Sequence, residues 1–260
     1  MSWSRVYAII LRYSYLLFRN PDRAADTFYW PTIDLFVWGL TGLYVEGLAG
    51  NLLIINIIIS GIIFYHIIFR TQGEVSVNLL EEYWSHNLVN IFVSPLRLSE
   101  WLIAVVVNGI IKGLLGFVFT GLVALFLYKI AVFSYGFYLI PFIFSLMLTG
   151  WFMGFFIAGI VFRYGTKIQF MAWTFTSLFA PFSAIYYPVT FLPVWAQKVA
   201  AILPTSYVFE GLREVIHTGH FDPNKFWISL LLNLFYLSLS IVYIRSSFRK
   251  ALDRGLINTY

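Results

Sequence analysis

The 260-residue chain carries 17 Lys and Arg against 12 Asp and Glu, a net charge of +5, yet charged residues make up only 11% of it. Soluble domains average about 25%. With 60% hydrophobic and 20% aromatic residues and a mean hydropathy of +0.80, a soluble fold is excluded, and the absence of cysteine rules out disulfides, thiolate zinc sites and thiol nucleophiles.

Arg5, Arg12 and Arg19 recur every seven residues, which keeps them on one helical stripe with a drift of only about 20° per heptad. Arg12 interrupts the apolar stretch and no small-residue cleavage site follows, so a cleaved leader is not expected. Residues 1–21 are instead predicted as an amphipathic helix lying on an anionic leaflet and ending at Asn20-Pro21.

Four charge-free runs follow, Gly47–Phe69, Ile130–Phe162, Ile168–Gln197 and Phe226–Ile244, each long enough to cross about 30 Å as a helix. The expected fold is an all-α membrane protein, one domain over residues 1–260. Its six spans are placed near 29–49, 51–70, 99–129, 137–163, 166–188 and 223–246. With both termini cytoplasmic, 12 Lys and Arg lie inside, 4 outside and Lys112 within the third span, the bias expected of an inner-membrane protein.

Asp34, Glu46 and Lys112 are the ionisable residues placed inside the bilayer, each costing about 2.5 to 3.5 kcal/mol at mid-membrane. Asp34 and Lys112 either line a substrate path or pair with one another; Glu46 can snorkel to the outer surface, and His66 reads as a membrane-edge histidine. Gly109-x-x-x-Gly113 and Gly150-x-x-x-Gly154 suit close helix packing.

Residues 72–97 form a polar cytoplasmic insert between spans 2 and 3. Glu81 and Glu82 open its informative part, Leu88, Ile91 and Phe92 follow at helical spacing, and Ser94-Pro95 closes it. Such a helix can dock in a groove of a partner. The alternative is that its acids are simply solvated loop charges. Residues 189–221, between spans 5 and 6, are nearly as apolar as the spans; Pro193 and Pro204 would each start a short helix, giving a re-entrant pair on the outer side. Glu214, His217, His220 and Asp222 have metal-like composition, but Gly219 breaks their helix and fixes no third ligand, so no metal site is assigned.

The insert resembles the coupling segment of ABC-2 type transporter permeases. Tyr187-Pro188, Leu192-Pro193, Trp195, Pro204, Glu210 and Arg213 are similar to that family's aromatic-Pro, Leu-Pro, Pro, Glu and Arg pattern, and Phe28 to Asp34 extends the likeness across nearly the whole chain. The chain departs from drug-exporting members at Trp84-Ser85 and Ser183-Ala184.

The resemblance implies an exporter half, homodimeric or pseudo-dimeric, with two copies of a separate ABC ATPase docked at Glu81 to Leu96. It also implies an outer gate formed by Tyr187, Pro188, Pro193, Trp195, Pro204, Glu210 and Arg213. No G-x-x-x-x-G-K-[ST] occurs, so ATP and Mg belong to the partner, and no cofactor or nucleic acid is expected on this chain. The aromatic content leans toward a glycan or lipid-linked glycan among amphipathic substrates. A membrane-embedded enzyme using Asp34, Glu46 or His66 lacks a nucleophile with an adjacent base or a metal motif. A channel or assembly subunit without an ATPase is the third reading.

Overall fold

Asn20 both ends α1 (Trp3–Arg19) and opens the next helix. Its backbone N–H donates to the Leu16 carbonyl, and its side chain accepts from the Asp22 N–H, with Pro21 at the first helical position. The computed structural model describes residues 1–50 and 53–255, and among these the chain is helical with no strand. From Pro21 it continues through α2 (Pro21–Ala24), a π turn (Ala25–Tyr29) and α3 (Trp30–Ala49).

The π turn has a covalent cause. Trp30 N–H reaches back five residues to the Ala25 carbonyl; Pro31, next in that series, has no N–H for the Asp26 carbonyl. The side chain of Arg70 donates to that carbonyl instead.

α4 (Ile54–Trp84) is one uninterrupted helix of 31 residues, about 46 Å long at 1.5 Å per residue. The helix that holds the expected span 51–70 therefore runs on through the first half of the 72–97 insert; Asn51 and Leu52 lie outside the described residues. Arg70, Glu74, Glu81 and Glu82 read as a boundary because charges end apolar runs. Here each has a partner on another helix, so the helix continues past them.

α5 (Leu88–Val93) is a single short turn pair, followed by α6 (Leu98–Tyr128) and α7 (Leu139–Tyr164). Both glycine pairs face α4. A Cβ at Gly150 would stand 1.8 Å from Thr71 Oγ1, one at Gly154 2.8 Å from Val75 Cβ, and one at Gly113 3.3 Å from Thr71 Cγ2. Thr71, fully buried, is thus seated between the glycine faces of α6 and α7. This close approach lets α4 run through the centre of the bundle.

The expected fifth span, 166–188, is not one helix. α8 (Met171–Phe179) has nine residues, about 14 Å, and is extended by 3-10 turns at Gly165–Ile168 and Ala180–Phe182. Gln72 on α4 holds it by hydrogen bonds to the Ala172 carbonyl (3.1 Å) and from Thr176 Oγ1 (3.0 Å). α9 (Val194–Ala201) follows Pro193, α10 (Pro204–Thr218) begins at Pro204, and α11 (Pro223–Asp253) closes the chain.

Among the described residues, four helical stretches are long and apolar enough to cross a membrane: Ile54–Trp84, Leu98–Tyr128, Val132–Ile168 and Pro223–Asp253. α3 has 20 residues, but Asp34 and Glu46 dilute its apolar content.

α1 reverses the expected orientation of its arginine stripe. Arg5 pairs with Glu100 at 3.2 Å and Arg12 with Glu82 at 2.7 Å, so these two face the protein and not lipid. The exposed stripe is Trp3, Tyr7, Leu11 and Tyr15, four residues apart and mostly aromatic. Buried acids on α4 and α6 decide the matter, because an arginine satisfies them at the expense of its own contact with headgroups.

Candidate functional site

A cavity of about 450 Å³ opens between the α2–α3 rod, α4 and α8. Its walls include Arg23 and Asp26 before α3, Trp30 and Asp34 at its start, Tyr65, His66, Arg70 and Glu74 along α4, and Trp173 and Ser177 on α8. Spacing along α4 explains the charged wall, since His66, Arg70 and Glu74 are four apart and share one face.

The Asp34–Lys112 pair considered from sequence does not form. Lys112 Nζ lies 2.9 and 2.8 Å from the two Glu74 carboxylate oxygens, both side chains about 3% exposed, while Asp34 Oδ2 stands 3.4 Å from His66 Nε2. Register explains the difference: the Lys112 side chain meets α4 at Glu74, whereas Asp34, half exposed, looks across the cavity to His66, about two turns earlier on α4. Asp34 thus stands on the cavity wall, and Lys112 behind it as the counter-ion of a wall residue.

Glu74 anchors a chain of charge-assisted hydrogen bonds. It accepts from Asn78 Nδ2 at 3.1 Å; Asn78 Oδ1 accepts from Arg23 Nη2 at 2.8 Å; Arg23 Nε donates to Glu81 at 2.8 Å. Although burial opposes its charge, Arg23 is held above the usual arginine value by Glu81 and nearby Glu74. Burial pushes the Asp26 carboxyl above the usual range, against the pull of Arg70 and Arg23.

At the far end of α4 the expected coupling residues divide into two groups. Glu82, 2% exposed, accepts from Arg12, from Tyr13 Oη at 3.1 Å and from Asn87 at 2.8 Å. Tyr13 in turn accepts from Trp101 Nε1 at 2.9 Å, and its phenol is pushed well above the usual range by burial and by Glu82. Leu88 and Ile91 are buried, and the Phe92 ring packs 4.7 Å from that of Phe248. These residues glue α5 to its own chain and do not present a groove-filling face. The open face is its other side, Asn90, Val93 (78% exposed), Ser94 and Pro95, beside a shallow groove shared with Arg5 and Arg12 of α1. Arg5 fixes that edge by donating to the Pro95 carbonyl.

Residues 6–217 match the family described as ABC-2 type transporter. The chain belongs to that family. No curated protein matches it at a significant level. It is a membrane-embedded, multi-pass permease of an ABC transporter, and such a domain is the transport component, not itself catalytic.

In the permease the residues grouped as an outer gate surround one irregular segment. Ser183, Ala184 and Ile185 are buried without regular helix, the Ile185 carbonyl lying so close to Gly61 of α4 that a Cβ there would approach it to 2.7 Å. Buried backbone of this kind needs partners. Arg213 donates to the Ala184 carbonyl at 2.8 Å, and Glu210, paired with Arg213 at 3.0 Å, accepts from the Val189 N–H at 2.7 Å. Tyr187 donates to the Pro181 carbonyl at 2.8 Å. Pro188, Pro193 and Trp195 stay exposed, Trp195 packing edge-on to Phe182, whereas Pro204 is buried. Ala184 takes φ +58, a left-handed backbone that glycine would adopt without strain.

The Glu214 and His217 region holds no metal cluster among the described residues; Lys225 takes Glu214 at 2.5 Å. Sequence reasoning assigned no role to Arg23, Tyr13 or Arg70, and weighed His66 only as a membrane-edge or enzymatic residue and Glu74 only as a loop charge. The signal that could have found them is the four-residue repeat His66, Arg70, Glu74, Asn78 on one helix face, together with Glu74 and Glu81 one heptad apart.

Proposed function

We propose that the permease is the membrane half of an ATP-driven exporter, working as a homodimer over two copies of a separate ABC ATPase. It carries an amphipathic or glycan-containing molecule out of the cytoplasm. In this reading α3, α4, α6, α7, the α8 segment and α11 make six crossings, both termini are cytoplasmic, and the α9–α10 pair dips into the outer leaflet. Asp34 lines the substrate path, and Glu210 and Arg213 hold the outer rim.

The observation that carries the reading is the division of α5. One face is consumed by its own chain, and Asn90, Val93, Ser94 and Pro95 are left open on a rigid edge tied to α1. A surface that is fixed yet uncovered, on a permease with no phosphate-binding loop, suits a docking ATPase. Behind this edge Glu82 sets the position of α1 and α5, and Glu81 holds Arg23 of α2.

The test is co-purification with the partner ATPase. Val93→Asp should leave the permease folded and abolish association or substrate-stimulated ATP turnover. Full association with coupled turnover in that variant would remove α5 from the interface. Impermeant labelling of a cysteine placed at Ser85, clean in a chain without native cysteines, checks the orientation.

A further inference from the structure

Every acid on the wall of the 450 Å³ cavity except Asp26 has a cationic partner or a histidine. Glu74 is held by Lys112, Asp34 stands against His66, and Arg23 is engaged by Glu81. Arg70 is different. Among the described residues no carboxylate oxygen lies within ion-pair distance of it, and its hydrogen bond goes to the Asp26 main-chain carbonyl that Pro31 leaves without a helical donor. A guanidinium offers five N–H donors. Most of those of Arg70 are therefore available to the cavity. Glu74 and Asp26 act on this cation through space, but neither carboxylate reaches it as an ion pair.

Position adds the second half of the chemistry. Arg70 is 16 residues along α4 from Ile54, about 24 Å, which puts it near one boundary of a hydrocarbon core about 30 Å thick. Trp30 and Trp173, both exposed, stand at the mouth, where indole rings favour the level of lipid headgroups. A cation without an ion-paired carboxylate, in a cavity flanked by two exposed indole rings at that level, suits a ligand with an anionic head and an apolar tail.

We propose that this cavity binds the phosphate or carboxylate headgroup of an anionic amphiphile, with Arg70 as the headgroup ligand and Trp30 and Trp173 flanking the tail. That the amphiphile is the cargo rests on the transport reading above; the binding itself does not.

The experiment reconstitutes the permease alone in nanodiscs of neutral lipid. Spin-labelled phosphatidic acid and spin-labelled phosphatidylcholine are compared by the fraction immobilised on the protein. Wild type should retain phosphatidic acid in preference by about tenfold or more, the scale of a charge-assisted hydrogen bond. Arg70→Gln, whose amide can still donate to the Asp26 carbonyl, should abolish the preference, and Arg70→Lys should keep part of it. Trp30→Ala, which leaves Arg70 in place, should weaken retention of both lipids. Equal retention of the two lipids by wild type, or an unchanged preference in Arg70→Gln, overturns the proposal. Displacement of the lipid by millimolar inorganic phosphate would assign the site to free phosphate and overturn the amphiphile. Since no ATPase is present, failure here leaves the transport reading intact, and loss of ATPase coupling leaves this site intact.

Discussion

Lys112 on α6 meets both carboxylate oxygens of Glu74 on α4, at 2.9 and 2.8 Å, in a setting that leaves either side chain about 3% exposed. A fully desolvated pair of this kind is costly to break and cheap to replace, because loss of one partner strands a buried charge, at about 3 to 5 kcal/mol. Glu74→Gln and Lys112→Met should each lower the thermal midpoint and yield of detergent-solubilised protein sharply. The double variant should recover most of both, and Asp34→Asn with Lys112→Met should not. Fluorescence-detected size exclusion after heating distinguishes the three outcomes.

The glycine seats around Thr71 make a sterically opposed pair of predictions. Gly150→Ala places a Cβ against Thr71 Oγ1 and 2.8 Å from the Ile68 carbonyl, and overpacking of this sort costs about 1 to 3 kcal/mol. Gly116→Ala meets nothing within 4 Å and removes a helix-interior glycine, worth about 0.5 to 1 kcal/mol in the stabilising direction. Thermal melts of the two variants should move in opposite directions.

Glu82 should matter through α1. Glu82→Gln weakens the acceptor of Arg12, Tyr13 and Asn87, so α1 should detach more readily and trypsin should cut at Arg12 or Arg19 several times faster. An unchanged digestion rate would show that the contacts of α1 with Pro95, Glu100, Trp101 and Asn108 hold it without Glu82.

How far the sequence could be read follows from this same network. Helix limits written in local chemistry were legible: Asn20-Pro21 marks the end seen in α1, and Pro193 and Pro204 the starts seen in α9 and α10. Pairings across the bundle were not, because Glu74 and Lys112 are 38 residues apart and nothing in either neighbourhood names the other. The same limit affected α5. Spacing identified Leu88, Ile91 and Phe92 as one apolar face, but periodicity does not say whether the surface that receives it belongs to a partner or to the chain itself. Hydropathy likewise did not show that the helix of span 2 continues past Arg70, since a charge ends an apolar run whether or not a counter-ion waits on the next helix.

Asp26 gives a pH dependence with a defined sign. Its neighbours are Asp22 beside it, Arg23 on the same rod, and Arg70 and Glu81 from α4, and burial outweighs the cations and holds its folded pKa above the ordinary value of 3.8. The native chain therefore binds this proton more tightly than the unfolded one, so its contribution is present below the unfolded pKa and lost as pH rises through the folded pKa. Asp26→Asn should match wild type near pH 3.5 and become relatively more stable as pH rises toward 7. Thermal midpoints across that range provide the check.

Glu210 should act on backbone order at the opposite end. Glu210→Ala removes the acceptor of the Val189 N–H and the partner of Arg213. Hydrogen exchange at residues 184–191 should accelerate well beyond that of α10 itself, and equal protection in both proteins would deny the residue its role.

The unbroken length of α4 has a mechanical consequence. A rod of about 46 Å, gripped near its middle at Thr71, behaves as a lever: a tilt of about 5° displaces its ends by some 2 Å in opposite directions. One arm ends at Trp84, beside α5, and the other carries Gly61, against which the irregular segment at Ile185 rests. Motion imposed at either extremity is therefore delivered to the other with its sign reversed, through a single piece of secondary structure and without any intervening hinge.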